Sequence, residues 1–203
     1  MSPRQSGRGG RRGRRTVAAL AVLAACGVGV IAALPSIERV VREITYPLRD
    51  AAIINRQASV EHLDPALVAA VIYAETKFDP RTSSTGALGL MQIEPSTARY
   101  LAHLSGGSQF TVADLAHPAT NIAYGSYYLR YLLNLYGGNR MLALAAYNAG
   151  TTNVNRWLAE ARTGGRSLTA ATIPFTQTRE YVSKVEAATR TYRRYYPKLL
   201  GPP

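Results

Sequence analysis

Glu75 stands at the end of an apolar segment, and eleven residues on the chain turns through Gly86-Ala87-Leu88-Gly89-Leu90-Met91-Gln92. A lone carboxylic acid against apolar packing has its charged form disfavoured, so it keeps its proton close to neutral pH and can donate it. The chemistry that suits such a group is general acid catalysis, with the same residue available afterwards as a base. Asp79 follows four residues later, beyond the expected end of the segment, and Glu94 abuts Pro95, where capping a helix start is role enough; no second catalytic carboxylate stands out. His62, His103 and His117 are isolated and lack metal-ligand spacing, so neither metal nor cofactor is expected. No Gly-x-Ser-x-Gly elbow and no phosphate-binding glycine loop occurs.

The element that must position Glu75 is a helix. Asp64-Pro65 is a start signal, an oxygen-bearing cap followed by proline at the first helical position. Leu67, Val68, Val71 and Ile72 then recur at helical spacing, and Glu75 falls on the same stripe, at the edge of the core. Phe78 and Pro80 end the segment. The spacing of apolar positions and the caps place this helix at 65–76 and predict others over 50–62, from Pro95 to about His103, over 118–136, 140–149 and 153–162, and over about 177–195, the last presenting Tyr181, Val185, Ala188, Tyr192 and Tyr195 on one face. No strand pair is evident, and 165–175 has room for a small hairpin. Gly86 and Gly89 permit a turn that bulkier residues would strain.

The chain has 203 residues, 47% of them hydrophobic, enough for one ordinary domain with a packed core and an appendage. One cysteine excludes an intrachain disulfide. The net charge is +12, but six arginines lie within the first fifteen residues; the remainder carries 18 basic and 12 acidic residues. No nucleic-acid-binding signature accompanies the charge, so no nucleic-acid partner is expected, whereas a cationic outer domain suits an anionic wall polymer.

Val17–Leu34 is an uninterrupted apolar run of 18 residues, within the roughly 17–25 needed to span a bilayer. With the arginines before it, the run reads as a signal-anchor: residues 1–15 a basic cytoplasmic tail, 16–34 a transmembrane helix, 35–45 a connector, 46–198 an extracytoplasmic domain and 199–203 a tail. A cleaved signal peptide and lipidation at Leu23-Ala24-Ala25-Cys26 are the rival readings.

Four segments resemble the soluble lytic transglycosylase (SLT) family of lysozyme-like domains: Glu75-Thr76-Lys77-Phe78-Asp79-Pro80, Gly86-Ala87-Leu88-Gly89-Leu90-Met91-Gln92, Ala145-Ala146-Tyr147-Asn148-Ala149-Gly150 and Thr178-Arg179-Glu180-Tyr181-Val182. The resemblance covers roughly residues 45–196. It implies a mainly α fold of the lysozyme-like α+β superfamily, and cleavage of the bond between N-acetylmuramic acid and N-acetylglucosamine in peptidoglycan. Glu75 would be the single acid/base and the product a 1,6-anhydromuramyl end. It also implies that Met91 and Gln92 line the cleft, that Tyr147 orients the acid, that Asn148 binds an N-acetyl group and that Tyr181 closes the cleft wall, with core packing the alternative for Met91 and Tyr181. The chain departs from the family pattern at Thr76, where serine is usual, and at Gln177, where glutamate is common. Its loop from Glu75 to Gly86 is one residue shorter, so either Ser83 or Ser84 can be the cleft serine. A muramidase hydrolysing the same bond and a non-catalytic glycan-binding protein are the alternative functions. Protein partners cannot be read from the sequence.

Overall fold

The computed structural model describes residues 36–106 and 109–201. The chain divides into two units, Met1–Thr45 and Tyr46–Pro203. In the first unit, residues 36–45 are helical (α1) where a connector was expected. The expected transmembrane segment lies outside the described residues; among those described, no helix is long and apolar enough to cross a membrane.

The second unit is a helical domain with one small hairpin. Its order is α2 (Ala51–Val60), α3 (Pro65–Thr76), β1 (Arg81–Thr82), β2 (Leu88–Gly89), α4 (Pro95–Ser105), a 3-10 turn (Val112–Ala116), α5 (Pro118–Leu135), α6 (Arg140–Ala149), α7 (Thr151–Thr163), a second 3-10 turn (Ala170–Thr172), α8 (Thr176–Tyr195) and α9 (Pro197–Leu200). The caps act as their residue types require. The Asp64 carboxylate accepts from the Ala66 N–H at the start of α3, and the Asn139 side chain accepts from Leu142 at the start of α6.

The central element is α3. Every residue from Pro65 to Ile72 is buried, so the single apolar stripe expected from the sequence is instead a helix enclosed on all sides. It packs mainly along α8 and also on α2; α6 contacts α5, α7 and α8. On α8 the buried residues Thr178, Tyr181, Val182, Val185, Ala188, Thr189 and Tyr192 recur at helical spacing. A cluster of tyrosines ties the start of the domain to its end. Tyr46 stacks on Tyr73 at 4.9 Å, while the Tyr192 and Tyr196 hydroxyls donate to the carbonyls of Pro47 and Tyr46, each at 2.7 Å.

Two expectations change. The hairpin lies at 81–89, with Arg81 paired to Gly89 and Thr82 to Leu88, and the 165–175 stretch holds a 3-10 turn instead. Strands of two residues are too short to leave an alternating pattern. The expected tail at 199–203 also begins too early: Leu200 is buried and the Asn55 amide donates to the Leu199 carbonyl at 2.7 Å, so α9 belongs to the fold.

Candidate active site

Glu75 lies in the last turn of α3, where that helix leaves the core. The chain then reverses abruptly: Lys77 and Phe78 both adopt positive φ, 53° and 65°, and the Phe78 ring returns to the core. Two successive non-glycine residues in the left-handed region cost free energy, and packing must hold them there. The neighbouring Thr76 hydroxyl is buried and donates to the Leu90 carbonyl at 2.8 Å, stitching the end of α3 to the glycine-containing loop.

Asn121, on α5, anchors that loop. Its side chain is fully buried; Oδ1 accepts from the Met91 N–H at 2.8 Å, and Nδ2 donates to the carbonyls of Leu88 at 2.8 Å and Leu115 at 3.1 Å. Gly89 has φ +75° and lies so close to Asn121 that a Cβ would stand 2.2 Å from Nδ2, so glycine is required there on both counts.

The loop and the ends of α3 and α6 enclose a cavity of about 410 Å³, lined among others by Glu75, Ser83, Gln92, Tyr147 and Asn148. Of the two serines, Ser83 is on the cavity wall, its Oγ accepting from the Ala87 N–H at 2.9 Å. Gln92 has φ 50° and spends Nε2 on the carbonyls of Arg81 at 2.7 Å and Gly89 at 2.8 Å. Its amide therefore presents acceptor rather than donor capacity to the cavity. Asn148 accepts at Oδ1 from the buried Thr178 hydroxyl at 2.9 Å, which leaves its Nδ2 as the group to meet a ligand carbonyl.

Three sequence-based placements are corrected. Met91 does not line the cavity; its side chain is fully buried and fills the space over Gly125, where a Cβ would stand 2.3 Å from Sδ. The Tyr147 hydroxyl donates to the Met91 carbonyl at 3.0 Å rather than to Glu75. Tyr181 is not on the cavity wall but buried beside Glu75; its hydroxyl interacts with the carboxyl without closing a hydrogen bond of standard geometry.

The electrostatics follow from this packing. Burial pushes the Glu75 carboxyl up to about 7, against the opposing pull of the Tyr181 hydroxyl, the Lys184 ammonium and the Arg81 guanidinium. Burial, with Glu75 close by, drives the Tyr147 and Tyr181 phenols well above their ordinary value, so both are neutral donors. Glu75 thus divides its population between acid and carboxylate near neutral pH.

The transglycosylase SLT domain family matches residues 52–169, more than half of the chain and the segment that carries this cavity. The chain belongs to that family. It is 35% identical over 164 residues to the soluble lytic murein transglycosylase of Escherichia coli (strain K12), covering 78% of this chain and 24% of that protein. Among solved structures, it superposes on an inactive glutamate-to-glutamine mutant of the lytic transglycosylase Slt from Pseudomonas aeruginosa with a TM-score of 0.69 and 33% identity, covering 75% of this chain and 25% of that one. It also matches the 70-kDa soluble lytic transglycosylase in complex with bulgecin A, with a TM-score of 0.70 and 32% identity over 79% of this chain and 27% of that one. The chain spans about a quarter of the length of the curated relatives it matches.

Of the SLT domain's site residues, neither Tyr128 nor Asn121 stood out in the sequence, where Gln177 and Glu94 counted only as a departure from the family pattern and a capping residue. Tyr128 and Gln177 line the cavity, the Tyr128 phenol raised to about 12 by burial first and by Tyr131 and Glu94 after it. Glu94 lines it too. The residue occupies the N-cap of α4, but its side chain does not cap that helix. Asn121 had a signal that could have found it: it shares the helical register of Ile122, Gly125 and Leu129, which makes it a polar residue on a buried face.

Proposed function

We propose that this chain is a membrane-anchored peptidoglycan lytic transglycosylase, cleaving the β-1,4 bond between N-acetylmuramic acid and N-acetylglucosamine. The observation that carries the reading is the Glu75 carboxyl, buried at the cavity edge with its pKa raised to about 7, in a domain of this family. Protonated Glu75 gives its proton to the glycosidic oxygen as the bond to the anomeric carbon breaks. The substrate's own N-acetyl group supports the positive charge that develops there. The Glu75 carboxylate then takes the proton of the C6 hydroxyl as that oxygen bonds to the anomeric carbon, which leaves a 1,6-anhydromuramyl end and consumes no water. Asn148 and Gln92 line the cavity, and the amide atoms their hydrogen bonds leave over, the Asn148 Nδ2 and the Gln92 oxygen, complement a glycan's amide carbonyls and hydroxyls. The relatives named as murein transglycosylases support the same substrate.

One observation favours a second reading. Glu94 places another carboxylate on the wall of the same cavity, which a muramidase could use to activate water. Mass spectrometry of digested peptidoglycan separates the possibilities: anhydro ends mean lyase, reducing ends mean hydrolase, and an unchanged polymer means a binding protein. Under the lyase reading, Glu94→Gln keeps the anhydro product with a rate within about tenfold of wild type. A muramidase would instead lose about 10²–10⁴-fold in the same variant and release reducing ends from the wild type.

The anchor is proposed from the apolar run Val17–Leu34 and the arginines before it. The intact chain is expected to sediment with membranes, and protease added to spheroplasts to digest the domain. Full protection of the domain would reverse the orientation, and Cys26→Ala tests the lipidated alternative through a change in mass.

A further inference from the structure

The last carbonyls of a helix have no partner within it, and they present the negative end of the helix dipole. In α3 that end carries Glu75, so the helix itself opposes the carboxylate form. Two cations occupy these carbonyls, one from α8 far along the chain and one from β1 just beyond Glu75. Lys184, on α8, donates from Nζ to the Ala74 carbonyl at 2.7 Å, and its ammonium lies 5.6 Å from the centre of the Tyr73 ring. Arg81, on β1, donates from Nη2 to the Glu75 carbonyl at 2.9 Å. Tyr73, Ala74 and Glu75 are thereby held in succession, and Glu75 has a positive charge on each of two sides.

We propose that Lys184 and Arg81 are positioning residues that clamp the end of α3 and set the proton affinity of Glu75, an inference that rests on Glu75 being the acid of the proposed reaction. The groups acting on this carboxyl are Lys184 and Tyr181 from α8, Arg81 from β1 and Tyr147 from α6. The two tyrosines are neutral, so the cations alone supply charge that favours the carboxylate. Burial and the nearby cations Lys77 and Arg81 disfavour the Lys184 ammonium, whereas Glu75 favours it; lysine and acid are linked in both directions.

Lys184→Met tests this clamp: it keeps an unbranched stem to cover Tyr73 and removes the charge. Two readouts are needed, the pH profile of peptidoglycan cleavage and the titration of the Glu75 carboxyl by ¹³C NMR in the full chain. Loss of a neighbouring cation raises an acid's pKa, so the Glu75 midpoint and the alkaline limb of the profile are both expected to move up by roughly half a unit to one unit, discounted for solvent exposure of the lysine. Arg81→Met shifts in the same direction, and Lys184→Arg restores the wild-type midpoint. A Glu75 titration unchanged in both methionine variants overturns the clamp, even if turnover falls. A wild-type protein that never cleaves peptidoglycan, with the shifts present, leaves the clamp standing and removes the proposed function instead.

Discussion

Replacing Glu75 by glutamine is expected to lower the rate of peptidoglycan cleavage by about 10²–10⁴-fold, and to the upper end of that range because one residue serves both proton transfers. Glutamine keeps the shape of the side chain and neither gives nor takes the proton. The wild-type rate itself should fall as pH rises through about 7, where the raised Glu75 loses the proton it must donate. Stability should move the other way. An acid whose pKa is raised by folding adds nothing below its unfolded value of about 4.5, because both states are protonated. Between there and about 7 the unfolded chain ionises first, so the wild type loses stability as pH rises, and above about 7 the penalty is complete. The variant lacks this penalty. Its melting temperature should therefore gain on the wild type between pH 4 and 8 in paired thermal scans. Substantial release of anhydromuropeptides by Glu75→Gln would overturn the mechanism.

Asn121→Ala is expected to destabilise the domain by about 3 kcal/mol or more, read as a lowered urea midpoint. The side chain serves three backbone groups at once, the Met91 N–H and the Leu88 and Leu115 carbonyls; its loss strands the Met91 N–H and the Leu115 carbonyl, each at about 1–3 kcal/mol, leaves the Leu88 carbonyl only the Ile93 N–H, and opens a void beside Gly89. The melting temperature should drop by about 6–12 °C for a domain of this size. Cleavage should fall as well, at temperatures where the variant is still folded, because the released loop carries Gln92. A midpoint within about 0.5 kcal/mol of wild type would mean that water replaces the amide at all three groups.

The helices from α2 to α8 were legible in the sequence through local signatures, among them Asp64-Pro65 and Asn139 at starts, Gly137-Gly138 and Gly150 at ends, and apolar spacing between, whereas α1 and α9 were read as connector and tail. Glu75, Ser83, Gln92, Tyr147 and Asn148 line one cavity, whereas Met91 and Tyr181 lie off its wall. What was not legible depends on contacts between distant positions. Whether Met91 points inward is decided by the absence of a side chain at Gly125, and the partner of the Tyr147 hydroxyl by a carbonyl 56 residues away. Lys184 reaches α3 across 110 residues of sequence, and no periodicity reports that meeting. Glu94 read as a capping residue from its place before Pro95; the position is right, but its side chain makes no capping bond and the residue lines the cavity.

The tyrosine cluster at the domain's entrance has a topological consequence. Because Tyr192 and Tyr196 bond to the carbonyls of Pro47 and Tyr46, the chain returns beside its entry to the domain 150 residues later, just before α9 completes the fold. A unit with coincident ends can be spliced into a longer polypeptide without stretching either junction. The same closure frees the order of elements from the packing. A linker running from the end of α9 back to residue 46 would keep α9 on α2 and α8, and new ends could be opened at the Gly137-Gly138 turn between α5 and α6, outside the cavity wall. Circular permutation at that turn is therefore the rearrangement this architecture most readily admits.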